Sequence, residues 1–147
     1  MKKYKVILLS IITGLILTGC SKWSMISDIR NAEIATITFS VDPNEPSYNF
    51  SGTEVKQIVS LIEVEKWKSE NPVSGCTAVG YINFYEADKR YILEIINTEY
   101  KLMFSVSVLE EGTAICEKAY YYVKNMRYDE LMDSLKEFCD GNSNILL

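Results

Sequence analysis

The chain has 147 residues, a formal net charge of −5 and no histidine. That length is one ordinary domain with enough chain to bury a core. The excess of acids argues against nucleic acid as a partner, and the lack of histidine removes the usual base for a serine or cysteine nucleophile.

Lys2, Lys3 and Lys5 give a positive start, and Val6 to Leu17 follow as an almost unbroken apolar run. This is the layout of a secretory signal peptide, and about a dozen apolar residues fall short of the ~20 that cross a bilayer. The run closes on Leu17-Thr18-Gly19-Cys20. These four residues resemble the lipobox of bacterial lipoproteins: a large aliphatic residue, two small ones, then cysteine. The resemblance implies that the Cys20 sulfur receives a diacylglyceryl group and that the signal peptide, residues 1–19, is cut just before it. The protein would then be lipid-anchored at the cell membrane and face the extracytoplasmic side. Removal of residues 1–19 takes away three lysines and no acid, which leaves 128 residues with a net charge of −8. Residues 20–31 are mostly polar, with Trp23, Met25, Ile26 and Ile29 as isolated apolar positions. They are expected to be a tether that reaches at most ~35 Å.

A single domain is expected over residues 32–140. Residues 33–41 are β-branched and alternating, so a first strand is expected with Ile37, Phe39 and Val41 on one face. Asp42-Pro43-Asn44-Glu45-Pro46 breaks it. Ser51-Gly52-Thr53-Glu54 has the form of a capping box, and Val55, Ile58, Val59 and Ile62 follow at helical spacing, which predicts a helix over 53–63. Residues 64–70, with Trp67, fit either an extension of that helix or a short edge strand. From Ala78 the period becomes two. Strands are expected over 81–85 and 90–96 around a turn at 86–89, then over 101–109 and 113–124 around a turn at 110–112. Leu102, Phe104, Val106 and Val108 form one apolar face, and Met103, Ser105 and Ser107 lie opposite, which predicts a sheet covered on one side only. A helix over 127–139 buries Tyr128, Leu131, Met132, Leu135 and Phe138, and residues 141–147 are expected as a flexible tail. The fold class is α+β: an antiparallel meander with two helices packed on one face.

The element order, the Tyr81-Ile82-Asn83-Phe84-Tyr85 strand with its charged turn, and Tyr120-Tyr121-Tyr122-Val123 leading to Tyr128 and Leu131 resemble small secreted domains on lipoproteins of low-GC Gram-positive bacteria. That resemblance implies a fold and carries over no catalytic residue.

Three cysteines follow Cys20: Cys76, Cys116 and Cys139. An odd number outside the cytoplasm allows one disulfide and one free thiol, or three separate thiols. In a meander the start of the fifth strand and the end of the following helix can meet, so a Cys116–Cys139 bridge is the favoured pairing. The alternation that points Cys116 the same way as Lys118 weighs against it. No C-x-x-C pair suggests a metal site, and no P-loop, dinucleotide fingerprint or Ser-x-x-Lys pattern occurs in the mature chain. Asp140-x-Asn142-x-Asn144 opens like a calcium loop but has Ile145 where glycine is required. Carboxylates such as Glu63, Glu65, Glu94 and Glu99 read as a hydrated surface.

The expectation is therefore a non-enzymatic module without metal or cofactor. Its partners are the membrane, reached through the lipid, and an envelope protein or polymer. The ten tyrosines are its most suggestive feature. Tyr81, Tyr85, Tyr120 and Tyr122 are candidates for a binding surface on the open sheet face beside Arg90 and Lys118, where tyrosine gives contact area at low entropic cost. Cross-strand stiffening of the sheet is the plainer reading of the same residues. An alternative function is an inhibitor or immunity-type lipoprotein that blocks an enzyme with Glu86, Asp88, Glu110 and Glu111 clustered at one protruding end. An enzyme acting on envelope polymers would instead need a concave pocket with paired carboxylates.

Overall fold

The computed structural model describes residues 24–39, 46–99, 101–142 and 144–145. Alternation of apolar and polar residues drives its long strands. In β4 (Ala78–Glu86) and most of β5 (Lys89–Asn97) alternate side chains are buried, in β6 (Leu102–Glu110) Leu102 to Val106 are buried on both faces, and the three pair antiparallel through tight turns. β1 (Ile34–Thr38) joins β4 on one side, and β8 (Ala119–Tyr122) joins β6 on the other. The expected meander is thus present at the centre of the sheet. Short strands extend it: β2 (Tyr48–Ser51), β3 (Lys68–Glu70), β7 (Thr113–Ala114) and β9 (Asn144–Ile145). The order is β3-β8-β6-β5-β4-β1-β2-β9, with β7 paired to β6.

One face is covered by helices. Residues 24–31 form α1, Thr53–Leu61 form α2 and Tyr128–Asn142 form α3. Ile37, Ile82, Phe84, Leu93, Phe104 and Val106 from the sheet meet Ile29, Val55, Ile58 and Leu135 from the helices in one buried cluster. Each such side chain contributes about 1.5–3 kcal/mol relative to exposure. Gly80 sits where β4 crosses close to β1. A Cβ there would stand 3.2 Å from the Thr38 carbonyl oxygen, so a larger residue would have to push the two strands apart by a few tenths of an ångström.

Several expectations change. Residues 24–31 are not a tether: Met25, Ile29 and Ala32 recur at spacings of four and three and are buried. Lys56 Nζ donates to the Arg30 carbonyl at 2.6 Å and Arg30 pairs with Glu65 at 2.8 Å, which ties α1 to α2 and to the turn after it. The capping box forms by half. Ser51 ends β2, Gly52 occupies the N-cap with φ 58°, and the Glu54 carboxylate accepts from the Ser51 amide at 3.3 Å. Residues 64–70 divide between a 3-10 turn at Val64–Lys66 and the edge strand β3. The expected strand over 113–124 is broken at Ile115–Lys118 into β7 and β8. The end of the chain is structured in part, since α3 runs to Asn142 and β9 pairs with Tyr48 and Asn49. Asp140 and Asn142 therefore belong to a helix rather than a calcium loop. Val41 and the break at 42–45 lie outside the described residues.

Candidate functional site

The sheet face away from the helices is built by strand register. Across it, Glu70, Tyr120, Ser105, Glu94, Tyr81 and Thr38 stand in one row, each opposite its neighbour on the next strand. Lys68, Tyr122, Met103 and Ile96 form the row on one side. On the other lie Ser107, Ile92, Asn83 and Thr36, then Leu109, Arg90, Tyr85 and Ile34. All four candidate tyrosines thus share the helix-free face, as alternation predicts, and each is half-buried. Tyr81 and Tyr120 stand three strand spacings apart, ~14 Å.

Two ion pairs stiffen this face. Ser105, fully buried, donates from Oγ to Glu94 Oε2 at 2.5 Å, and Lys118 Nζ donates to both oxygens of the same carboxylate at 2.9 and 3.0 Å. Lys101 pairs with Glu70 and lies 4.9 Å from the centroid of the Tyr122 ring. The hydrogen bond from Lys101, helped by the Asn71 amide, holds the Glu70 carboxyl below its ordinary range. Asn83 Nδ2 donates to Thr36 Oγ1 at 3.2 Å. Lys68 and Arg90 are exposed and have no ion pair among the described residues. The arrangement sets half-buried aromatic rings, paired ions and two uncommitted cations over the buried Met103, Ser105 and Ile96, and suits contact with an extended ligand.

Two further tyrosines, Tyr91 and Tyr121, belong to the core. Tyr121 stacks on Trp67 with centroids 5.1 Å apart, and Trp67 on Phe104 at 5.2 Å, while Trp67 Nε1 donates to the Ile62 carbonyl at 2.8 Å. Trp67 is therefore a packing residue. Burial, and then proximity to Cys116, raise the Tyr121 hydroxyl, which has no hydrogen-bond partner among the described residues. Tyr91 donates to the Asp28 carboxylate, and burial together with that bond pushes its hydroxyl well above the ordinary value. Sequence reading missed this link because it joins residues 63 positions apart. The Ser105–Glu94–Lys118 cluster was missed for the same reason, although the facing of Ser105 and of Lys118 was legible.

A second feature lies at the margin of the helix face. A pocket of about 340 Å3 opens between α1 and the 115–118 loop, lined by Met25, Asp28, Lys89, Tyr91, Val108 and Cys116 among others. Ser24 also lines it, so α1 begins at the end of the sheet that carries the β4–β5 and β6–β7 turns. Glu86, Asp88, Glu110 and Glu111 gather around those two turns, interleaved with Lys89 and Arg90, and a hollow of about 230 Å3 separates the tips.

The expected disulfide is not formed. Cys76, Cys116 and Cys139 are free, the first two exposed and Cys139 buried. Phe138 packs on Phe50 of β2 with centroids 5.1 Å apart, so the end of α3 lies over β2, five strand spacings or ~24 Å from β8 and the loop that holds Cys116. Burial pushes the Cys139 thiol up to about 12. Cys20 and the residues 17–19 that resemble a lipobox lie outside the described residues. Among the described residues no helix is long and apolar enough to cross a membrane. Comparison of the chain with protein-family models, with curated proteins and with solved structures finds no match.

Proposed function

We propose that this chain is a lipid-anchored, extracytoplasmic binding module without catalytic chemistry, held to the membrane through Cys20, whose helix-free sheet face docks a component of the cell envelope. The observation that carries the reading is the convergence of Tyr81, Tyr85, Tyr120 and Tyr122 on that one helix-free face. The lipobox sequence supplies the compartment, and two or more acyl chains give durable attachment where one gives only marginal binding.

The test has two arms. Cys20→Ala leaves the chain uncut at that site and not retained on the membrane; acylation of the variant would refute the anchor. A photo-reactive residue at position 120, compared with one at position 136 on α3, cross-links to an envelope component in intact cells only from position 120. Equal products from both positions would refute the face.

The acidic tips support a second reading, an inhibitor that blocks an enzyme with Glu86, Asp88, Glu110 and Glu111. Three residues separate Cys20 from Ser24, a reach of at most ~14 Å. An anchor that close to the start of α1 would turn the tips toward the bilayer and leave the sheet face open sideways, which favours the first reading.

A further inference from the structure

The charge of the molecule is divided between its two faces. The three helices hold seven acids and three bases, whereas among the described residues the helix-free sheet face carries Lys68 and Arg90 beside Glu70 and Glu94, whose charges are met by Lys101 and Lys118. An excess of cations on one face of a chain with net charge −5 gives that face complementarity to a polyanion. The two cations without an ion pair, Lys68 and Arg90, lie at opposite corners of the tyrosine rows. Three strand spacings across and six residues along separate them by ~25 Å, more than one small anion can bridge.

Between those corners the half-buried polar groups Ser107, Asn83 and Thr36 lie beside Tyr120 and Tyr81, while Ser105, Met103 and Ile96 of the same face are buried beneath their neighbours. Among the described residues the exposed large hydrophobic side chains are Ile34, at the margin of this face, and Ile115, on the loop by the α1 pocket. A protein partner would want a desolvated apolar anchor at the centre of the contact. A sugar chain instead presents C–H faces to the negative faces of aromatic rings and hydroxyls to polar side chains. Resting on the reading of this face as the docking surface, we propose that its ligand is an extended anionic polysaccharide, with sugar rings on Tyr81 and Tyr120 and carboxylates at Lys68 and Arg90.

The experiment measures binding of alginate, a polyuronate, to the full chain in neutral detergent micelles, beside dextran as a neutral glycan and polyglutamate as an acidic peptide. Alginate is expected to bind in preference to both, and more weakly as salt rises. Lys68→Glu with Arg90→Glu weakens it at least about tenfold, equivalent to roughly 1.4 kcal/mol. Tyr120→Ala weakens it with the circular-dichroism spectrum unchanged, and the charge-matched control Lys124→Glu with Lys136→Glu leaves it as it was. Equal binding of dextran overturns the proposal. Equal binding of polyglutamate, still lost in the Lys68/Arg90 variant, overturns the glycan but leaves a docking face for an acidic protein. Equal loss in the control pair overturns the proposal and the assignment of the face together.

Discussion

Ile29→Ala tests whether α1 is part of the core or a leash. Ile29 has 0 % of its surface exposed and packs in the main apolar cluster. The substitution removes three carbon groups, ~2.4 kcal/mol at about 0.8 kcal/mol each, and leaves a cavity that raises the loss to roughly 3–4 kcal/mol. Against a typical stability of about 5–15 kcal/mol that is a large fraction. Urea unfolding of the soluble form beginning at residue 21, followed by circular dichroism, should show a midpoint about 1.5 M lower at an m-value of about 2 kcal/mol/M. Ser27→Ala, on the exposed side of the same helix, should leave the midpoint within about 0.3 M, since surface changes stay near ±0.5 kcal/mol. A midpoint for Ile29→Ala equal to that of the parent would mean that residues 24–31 do not join the core, and the account of α1 would fail.

Tyr121→Phe removes a buried hydroxyl without a partner among the described residues and keeps the ring on Trp67, so stability should hold or rise by about 1 kcal/mol; a clear fall in the urea midpoint would reveal a hydrogen bond. Under native conditions a thiol reagent should label Cys76 and Cys116 promptly and Cys139 only after unfolding, and fewer than three labelled sites on the unfolded, unreduced chain would show a bridge. Since folding raises the Cys139 thiol from 9.0 to about 12, its contribution is intact below pH 9 and is lost as pH climbs toward 12, by at most about 4 kcal/mol. Cys139→Ala should flatten that alkaline slope. For Glu70 the sign is opposite: its carboxyl is held below 4.5, so what its pairing adds is present above that value and fades in acid. Carboxyl resonances followed by NMR should show the Glu70 midpoint move upward in Lys101→Ala, and an unmoved midpoint would rule out the pairing.

The central sheet was legible because period-two burial leaves a plain trace. Residues 81–85, 90–96 and 101–109 alternate, and their tight turns dictate antiparallel neighbours. The same alternation placed the four candidate tyrosines correctly. The helix at 24–31 was hidden because Met25 and Ile29, with Ala32 just beyond it, are spread among polar residues and follow closely on a lipobox-like sequence, where loose chain is the natural expectation. β2 and β9 are too short to show a period, and Cys116-Glu117-Lys118 interrupts an otherwise strand-like run. The links that shape the sites join residues 11, 24 and 63 positions apart, Ser105 to Glu94, Lys118 to Glu94 and Tyr91 to Asp28. Only register and helix docking bring them together, and a linear pattern holds no trace of either. The Cys116–Cys139 pairing failed for that reason: the spacing allowed it, but the diagonal path of α3 carried Cys139 to the far margin of the sheet.

The two outermost strands have a bearing on how crowded molecules would behave. β3 offers three residues, two of them charged, and Pro72 follows it closely; β9 offers two. Unpaired backbone at a sheet margin invites the same strand of a neighbouring copy to add on, and short charged margins discourage it. A population concentrated in the plane of a bilayer would meet at just these margins, so the stunted outer strands favour separate molecules over ribbons of stacked copies.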